Sequence, residues 1–144
     1  MGKKELLMRL RYKNISRILV TGGLGFIGSS IIRKLLNNKS NKILNIDKKT
    51  IVSINPNELK NQFDKKNYKH VKLDICNETK LNTQIKRFKP DVIIHAAAES
   101  HVDNSIKTPK KFIKSNIIGT YNLLESIRVN NLVNKTLFLY ISTD

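Results

Sequence analysis

One stretch, Ile18-Leu19-Val20-Thr21-Gly22-Gly23-Leu24-Gly25-Phe26-Ile27-Gly28, constrains this chain more than any other. A run of branched apolar residues ends in clustered glycines, and a helical apolar pattern starts directly after them. That order predicts a buried strand, a tight turn and a helix whose amino end faces the turn. Such a unit belongs to an α/β layout, in which the helix carries the chain back to lay down a parallel strand. The first helical turn has unpaired N–H groups and about half a positive charge from its aligned peptide dipoles. It suits an anion, and glycines let a diphosphate come close to the backbone. Two spacings fit the letters. Gly23, Gly25 and Gly28 read G-x-G-x-x-G, and Gly22, Gly25 and Gly28 read G-x-x-G-x-x-G. A glycine-rich turn without a ligand fits them too.

Asp47 narrows the choice. It ends a second apolar run, Lys42-Ile43-Leu44-Asn45-Ile46, at the distance past the glycines where a ribose-binding acid belongs. A carboxylate there accepts hydrogen bonds from both adenosine ribose hydroxyls and repels a 2′-phosphate, which favours NAD over NADP. Lys48 and Lys49 soften that preference, because a nearby cation tolerates the extra phosphate. As a plain alternative, Asp47 is a solvated acid at a strand end.

Strands and helices alternate along the rest of the chain. Strands are predicted over 17–21, 42–46, 69–73, 91–95 and 137–142. Helices are predicted over 26–38, 78–88 and 109–129, with a short helical turn after Pro56. Thr108 suits the cap of the last helix and Pro109 its first position, where a missing N–H costs nothing. Right-handed crossovers then give a Rossmann-type, doubly wound parallel sheet with strand order 3-2-1-4-5. The ligand crevice lies at the carboxyl ends, beside strands one and four. Gly119 interrupts the last helix at a cost of about 1 kcal/mol relative to Ala, so a close approach to the sheet or another helix is expected there.

At 144 residues the chain suits one domain. No apolar run approaches the ~20 residues of a membrane helix. The start, up to Lys13, is basic but lacks a secretory apolar core, which points to a cytoplasmic protein without a membrane partner. A single cysteine, Cys76, agrees with a reducing compartment and reads as a small buried hydrophobe rather than a reactive thiol. The net charge of +16 would suggest nucleic acid, but the lysines are scattered and not interleaved with aromatics in one stripe. No nucleic-acid role is therefore expected, although a positive field attracts an anionic nucleotide.

The remaining strand ends supply further candidates. Asp74-Ile75 after strand three is placed to meet an adenine, or Asp74 caps the following helix. Ala96, Ala97 and Ala98 after strand four let backbone approach a flat cofactor, or simply pack tightly. His95, inside an apolar strand, reads as a structural histidine. His101 and Asp103, in the loop beyond, either line a substrate site or cap the turn.

Together these residues carry a resemblance. Thr21–Gly28, Asp47-Lys48, Asp74-Ile75, the string Ala97-Ala-Glu-Ser-His-Val-Asp103, Asn116-Ile-Ile-Gly-Thr-Tyr121 and Ile141-Ser-Thr-Asp144 are similar to the dTDP-glucose 4,6-dehydratase family. These are extended short-chain dehydrogenases acting on nucleotide sugars. The likeness runs from about Ser16 to Asp144. The glycine motif fits the whole superfamily, whereas the string after strand four and Ser-Thr-Asp on strand five are narrower.

The resemblance implies a lyase with bound NAD. A hydride leaves C4 of the sugar, water is lost across C5 and C6, and the hydride returns to C6 to give a 4-keto-6-deoxy sugar. A Tyr aided by a Lys takes the C4 hydroxyl proton, an acid protonates the departing hydroxyl and a base removes the C5 proton. By position, Asp144 would be the catalytic acid, and Thr143 and Ser100 would bind substrate. Gly22, Gly25, Phe26, Ile27, Gly28, Asp47, Lys48, Thr50, Asp74, Ile75, Ala96, Ala97, Ala98 and Ser115 would bind the cofactor. No metal is implied. Ser115 stands where the family usually has Thr, and Asn104 where Arg is common. Domain 17–144 would be an NAD-binding Rossmann domain, truncated after strand five and preceded by a basic extension over 1–16. A C-terminal substrate domain is then absent, and the chain alone is expected to be inactive. The implied partners are a nucleotide sugar, dTDP-glucose first, and a second copy in a homodimer of the full-length enzyme. A nucleotide-sugar epimerase and a non-catalytic NAD-binding fragment are the alternative readings. Tyr68-Lys-His-Val-Lys72 matches Tyr-x-x-x-Lys by letters only. It enters strand three, where four residues separate the side chains by about 13 Å.

Overall fold

The computed structural model describes residues 16–48, 53–55, 57–59, 66–99 and 108–142. Five parallel strands form one sheet in the order β3-β2-β1-β4-β5. They are β1 (Arg17–Thr21), β2 (Lys42–Asp47), β3 (Tyr68–Lys72), β4 (Val92–His95) and β5 (Leu137–Tyr140). The helices are α1 (Phe26–Leu36), α2 (Glu78–Phe88), α3 (Pro109–Phe112) and α4 (Gly119–Val129), and Ile113–Ile118 joins the last two as a π-helical segment. This is the expected doubly wound sheet with the expected strand order.

Side-chain alternation along β1 explains the two faces. Leu19 points to one side with Leu44, Ile46 and Ile93, where Leu81 and Ile85 of α2 and Leu123 and Ile127 of α4 cover it. Ile18 and Val20 point to the other with Ile43, Tyr68, Val92 and Ile94, beneath Ile32 and Leu36 of α1. Period-two alternation thus builds two cores from strands that look continuously apolar. Burying a Leu or Ile in either core contributes about 1.5–3 kcal/mol. At the amino ends of the strands, Asp91 Oδ2 accepts from the Arg17 N–H at 2.9 Å and its Oδ1 from Arg17 Nη2 at 2.9 Å, fixing β1 beside β4 at the end away from the crevice.

Several boundaries differ from expectation. Helix α1 ends at Leu36 rather than Asn38, because the Asn41 side chain reaches the Leu35 carbonyl at 2.7 Å and turns the chain toward β2. β3 begins at Tyr68 and stops at Lys72. β5 stops at Tyr140, although the Ile141 N–H still donates to the His95 carbonyl at 3.0 Å. Thr108 occupies the cap position of α3, but its side chain makes no capping hydrogen bond there. The long helix is not uniform: one stretch of wider turns interrupts it before Gly119.

Gly119 has the close approach its position demanded, made by neither a strand nor another helix. A Cβ there would lie 2.5 Å from Cδ1 and 2.6 Å from Cγ1 of Ile75, in the loop after β3. Tyr68 is buried with its hydroxyl accepting from Asn45 Nδ2 at 2.9 Å. It sits on a strand inside the core, so the Tyr68/Lys72 pair is the decoy that its spacing indicated.

Candidate functional site

A cavity of about 440 Å³ opens at the carboxyl ends of β1, β2, β3 and β4. Its floor is the glycine turn. Gly22 has φ +69°, a left-handed conformation that side chains resist, and a Cβ there would lie 2.6 Å from the Ala97 backbone. A Cβ on Gly28 would lie 2.3 Å from the Gly22 carbonyl oxygen. Gly25 is different: a Cβ added to it would find only the Gly22 oxygen, at 3.3 Å, and otherwise open space. Gly22, Gly25 and Gly28 line the cavity with Phe26 and Ile27. Gly23 instead packs on Asn45 and Ile32 in the core. The G-x-x-G-x-x-G spacing is therefore the one that faces the cavity.

The cavity receives the start of α1. Gly25 is its N-cap, no side chain caps the turn, and the first turn holds no acidic residue. The N–H groups of Phe26, Ile27 and Gly28 precede the first residue with a partner four positions back, Ser29, whose N–H donates to the Gly25 carbonyl at 2.9 Å. A helix start with no side-chain cap and no acid in its first turn suits an anion.

Asp47 closes the turn from the side. Its Oδ2 accepts from the Leu24 N–H at 3.0 Å, so this acid braces the glycine loop as well as lining the cavity. Lys48 also lines the cavity, and its ammonium pairs with Glu99 Oε1 at 2.9 Å. Burial pulls the Lys48 pKa down, but the Glu99 contact, with Asp74 adding to it, leaves it raised above its ordinary value.

The third wall comes from the loop after β3. Asp74 Oδ1 accepts from the Cys76 N–H at 2.9 Å, while Asn77, not Asp74, caps α2 through Lys80 N at 3.1 Å. Asp74 thus keeps a place on the cavity wall and loses the capping alternative. Burial pushes its carboxyl up, but the Cys76 hydrogen bonds and the charges of Lys48 and Lys114 outweigh this and hold it below the usual range. Cys76 is half-buried rather than buried, because its thiol turns toward the Lys114 carbonyl at 3.0 Å. Burial and the neighbouring Asp74 push that thiol up to about 11, so it stays protonated at neutral pH.

The fourth wall, Ala96–Ala98 and Glu99, is held by a chain of polar contacts behind it. Thr120 Oγ1 donates to the Asn116 carbonyl at 2.6 Å, so it accepts from His95 Nε2 at 2.9 Å. His95 Nδ1 then accepts from Thr21 Oγ1 at 2.6 Å, and that oxygen receives the Ala97 N–H at 3.4 Å. His95 is fully buried and stacked on Tyr140, and burial lowers its pKa to about 4. It is the neutral structural histidine that its setting implied. The π-helical segment turns Ser115 toward the cavity and Asn116 toward Glu99.

Fourteen residues are expected around a cofactor. Thirteen of them, all but Thr50, line this one cavity. Thr50, Ser100, Thr143 and Asp144 lie outside the described residues, as do His101, Asp103 and Asn104. Ile46, Ser53, Leu73 and Glu99 also line the cavity, and sequence reasoning assigns them no role. Ile46, Leu73 and Glu99 each adjoin an expected residue, so position beside a strand end was the available signal; Ser53 carried none. Among the described residues no cluster of His, Cys, Asp and Glu is arranged to hold a metal, and no helix is long and apolar enough to cross a membrane.

Comparison with known proteins places this geometry. The model of the GDP-mannose 4,6-dehydratase family matches residues 19–144. A dTDP-glucose 4,6-dehydratase of Neisseria meningitidis is 43% identical over 112 residues, which cover 78% of this chain and 31% of the relative. A dTDP-glucose 4,6-dehydratase of Bacillus anthracis, solved in complex with NAD, superposes with a TM-score of 0.73 at 35% identity over 89% of this chain and 37% of that one. A UDP-glucose 4-epimerase of Thermotoga maritima, solved with UDP-glucose, gives a TM-score of 0.73 at 30% identity over 88% and 37%. The chain thus spans about a third of the length of the proteins it matches. By sequence and by fold, the chain belongs to the GDP-mannose 4,6-dehydratase family, and its similar relatives there include dTDP-glucose 4,6-dehydratases.

Proposed function

We propose that this chain is the NAD-binding part of a nucleotide-sugar 4,6-dehydratase acting on a dTDP-hexose. The observation that carries the reading is the uncapped start of α1, set in a glycine cradle that side chains would fill, with Asp47 beside it. The residues fit NAD at each end of that cavity. The N–H groups at Phe26–Gly28 take the diphosphate, Asp47 takes the ribose hydroxyls, and Asp74 and Ile75 flank the adenine. Ala96–Ala98 and Ser115 lie along the remaining wall. When bound, NAD supplies a hydride acceptor that returns the hydride within the same turnover. Residues 17–144 form this domain, residues 1–16 are a basic extension, and the sugar is held mainly by a substrate domain outside these residues. Thr143 and Ser100 contact the sugar, and Asp144 gives a proton to the departing C6 hydroxyl. The site works in the cytoplasm.

Turnover by these 144 residues alone is not expected. Tyr-x-x-x-Lys occurs once, at Tyr68–Lys72, and there the Tyr hydroxyl is buried on Asn45. Incubation of the chain with dTDP-glucose and NAD⁺ should give no 4-keto product by alkaline absorbance. Fusion to the substrate half of a dTDP-glucose 4,6-dehydratase should restore it. Epimerisation without dehydration by the same fusion would refute the dehydratase reading.

The full-length protein pairs with a second copy through the long helix. Ile113, Ile117, Tyr121 and Leu124 are 54%, 59%, 57% and 48% exposed at successive turns, an apolar stripe on a highly charged chain. Sedimentation should show a dimer that Ile117→Glu dissociates; an unaltered dimer in that variant would refute this interface.

A further inference from the structure

Lys48 follows Asp47 directly, and both line the cavity. Its ammonium does not stand alone there. Glu99 reaches it from the opposite wall, at 2.9 Å, with both side chains partly exposed. The Glu99 backbone is gripped on both sides by one carboxamide: its N–H donates to Asn116 Oδ1 at 2.9 Å, and its carbonyl accepts from Asn116 Nδ2 at 3.0 Å. The carboxylate therefore hangs from a braced support, and pairing restricts little beyond its own rotamers. Asp74 adds a second negative charge near the same ammonium.

This arrangement bears on which dinucleotide fits. NADP⁺ carries a phosphate on the ribose hydroxyl next to the acid that ends β2, and sites that accept it offer a cation there. By sequence Lys48 is such a cation, but its charge is already matched. We propose that Glu99 is a specificity-determining residue for the coenzyme: by holding Lys48 across the cavity, it withholds the ammonium from a 2′-phosphate and works with Asp47 to exclude NADP⁺. The inference rests on the NAD reading given above.

Calorimetric titration of this chain with NAD⁺ and NADP⁺ side by side tests both. Glu99→Gln keeps the shape and removes the charge. It should raise the NADP⁺-to-NAD⁺ affinity ratio about fivefold, the scale of one exposed ion pair. Adding Lys48→Met should cancel that gain, and so should about 1 M salt, where screening reaches to about 3 Å. Glu99→Ala should move the ratio the same way, which guards against a folding defect peculiar to one variant. A ratio unmoved by Glu99→Gln while NAD⁺ still binds overturns the proposal. A gain that survives Lys48→Met also overturns it. Absence of NAD⁺ binding in the unaltered chain instead removes the reading beneath it, and the proposal falls with that reading.

Discussion

Gly25→Ala and Gly28→Ala add the same methyl to the same loop and should fail in opposite ways. At Gly28 the new carbon lies 2.3 Å from the Gly22 oxygen and 2.8 Å from the Gly23 Cα, both backbone atoms that cannot swing aside. Relief needs a shift of about 1 Å, and overpacking of that severity costs about 3 kcal/mol. Better helix propensity returns about 1 kcal/mol, so the net loss is about 2 kcal/mol. At Gly25 the backbone has φ −77° and ψ 173°, which any residue adopts, and the sole close neighbour is 3.3 Å away. The stability cost there stays below about 1 kcal/mol, the penalty of a poorer cap. The methyl instead projects into the cavity over the first N–H groups of α1. Displacing a diphosphate from one charge-assisted hydrogen bond costs about 1.5–3 kcal/mol, or about 10- to 150-fold in affinity. Urea unfolding and NADH titration of both variants separate the effects. Undiminished binding by Gly25→Ala, or wild-type stability in Gly28→Ala, would refute the cradle argument.

Two further outcomes follow from the core. His95 has a folded pKa of about 4 against an ordinary 6.5, so the unfolded chain binds the extra proton first as pH falls. Its contribution is complete above the unfolded value and is lost on acidification, amounting to about 2 kcal/mol between pH 8 and pH 5. Urea midpoints across that range should show this slope, and His95→Gln should flatten it; an equal slope in both proteins would contradict the tautomer chain through Thr21 and Thr120. Gly119→Ala should destabilise by about 1–2 kcal/mol because of Ile75, yet stabilise by up to about 1 kcal/mol once Ile75→Ala has emptied the contact. Additive effects in that double-mutant cycle would show that the two residues do not share the space.

Much of this fold was legible because its strands are short apolar runs separated by helical patterns, a signal that needs no tertiary context. The glycine letters exposed the turn before α1 but not its register, since only packing on Asn45 and Ile32 reveals that Gly23 belongs to the core. The π-helical segment was hidden, because Ile-Lys-Ser-Asn-Ile-Ile reads as an ordinary helix turn by turn. What stabilises it lies outside the segment: Asn116 is held by the Glu99 backbone and by Thr120. The Lys48–Glu99 pair joins residues 51 positions apart, beyond the reach of any local pattern. Cys76 departs from its expected burial for a similar reason, its half-buried state depending on a carbonyl of the distant Lys114.

Calorimetry of the folded chain with NAD⁺ tests the central claim most directly. Saturable heat at one dinucleotide per chain, abolished or strongly weakened by Gly25→Ala, is the predicted result. A chain that is folded by circular dichroism yet gives no heat with millimolar NAD⁺ or NADH would contradict the account.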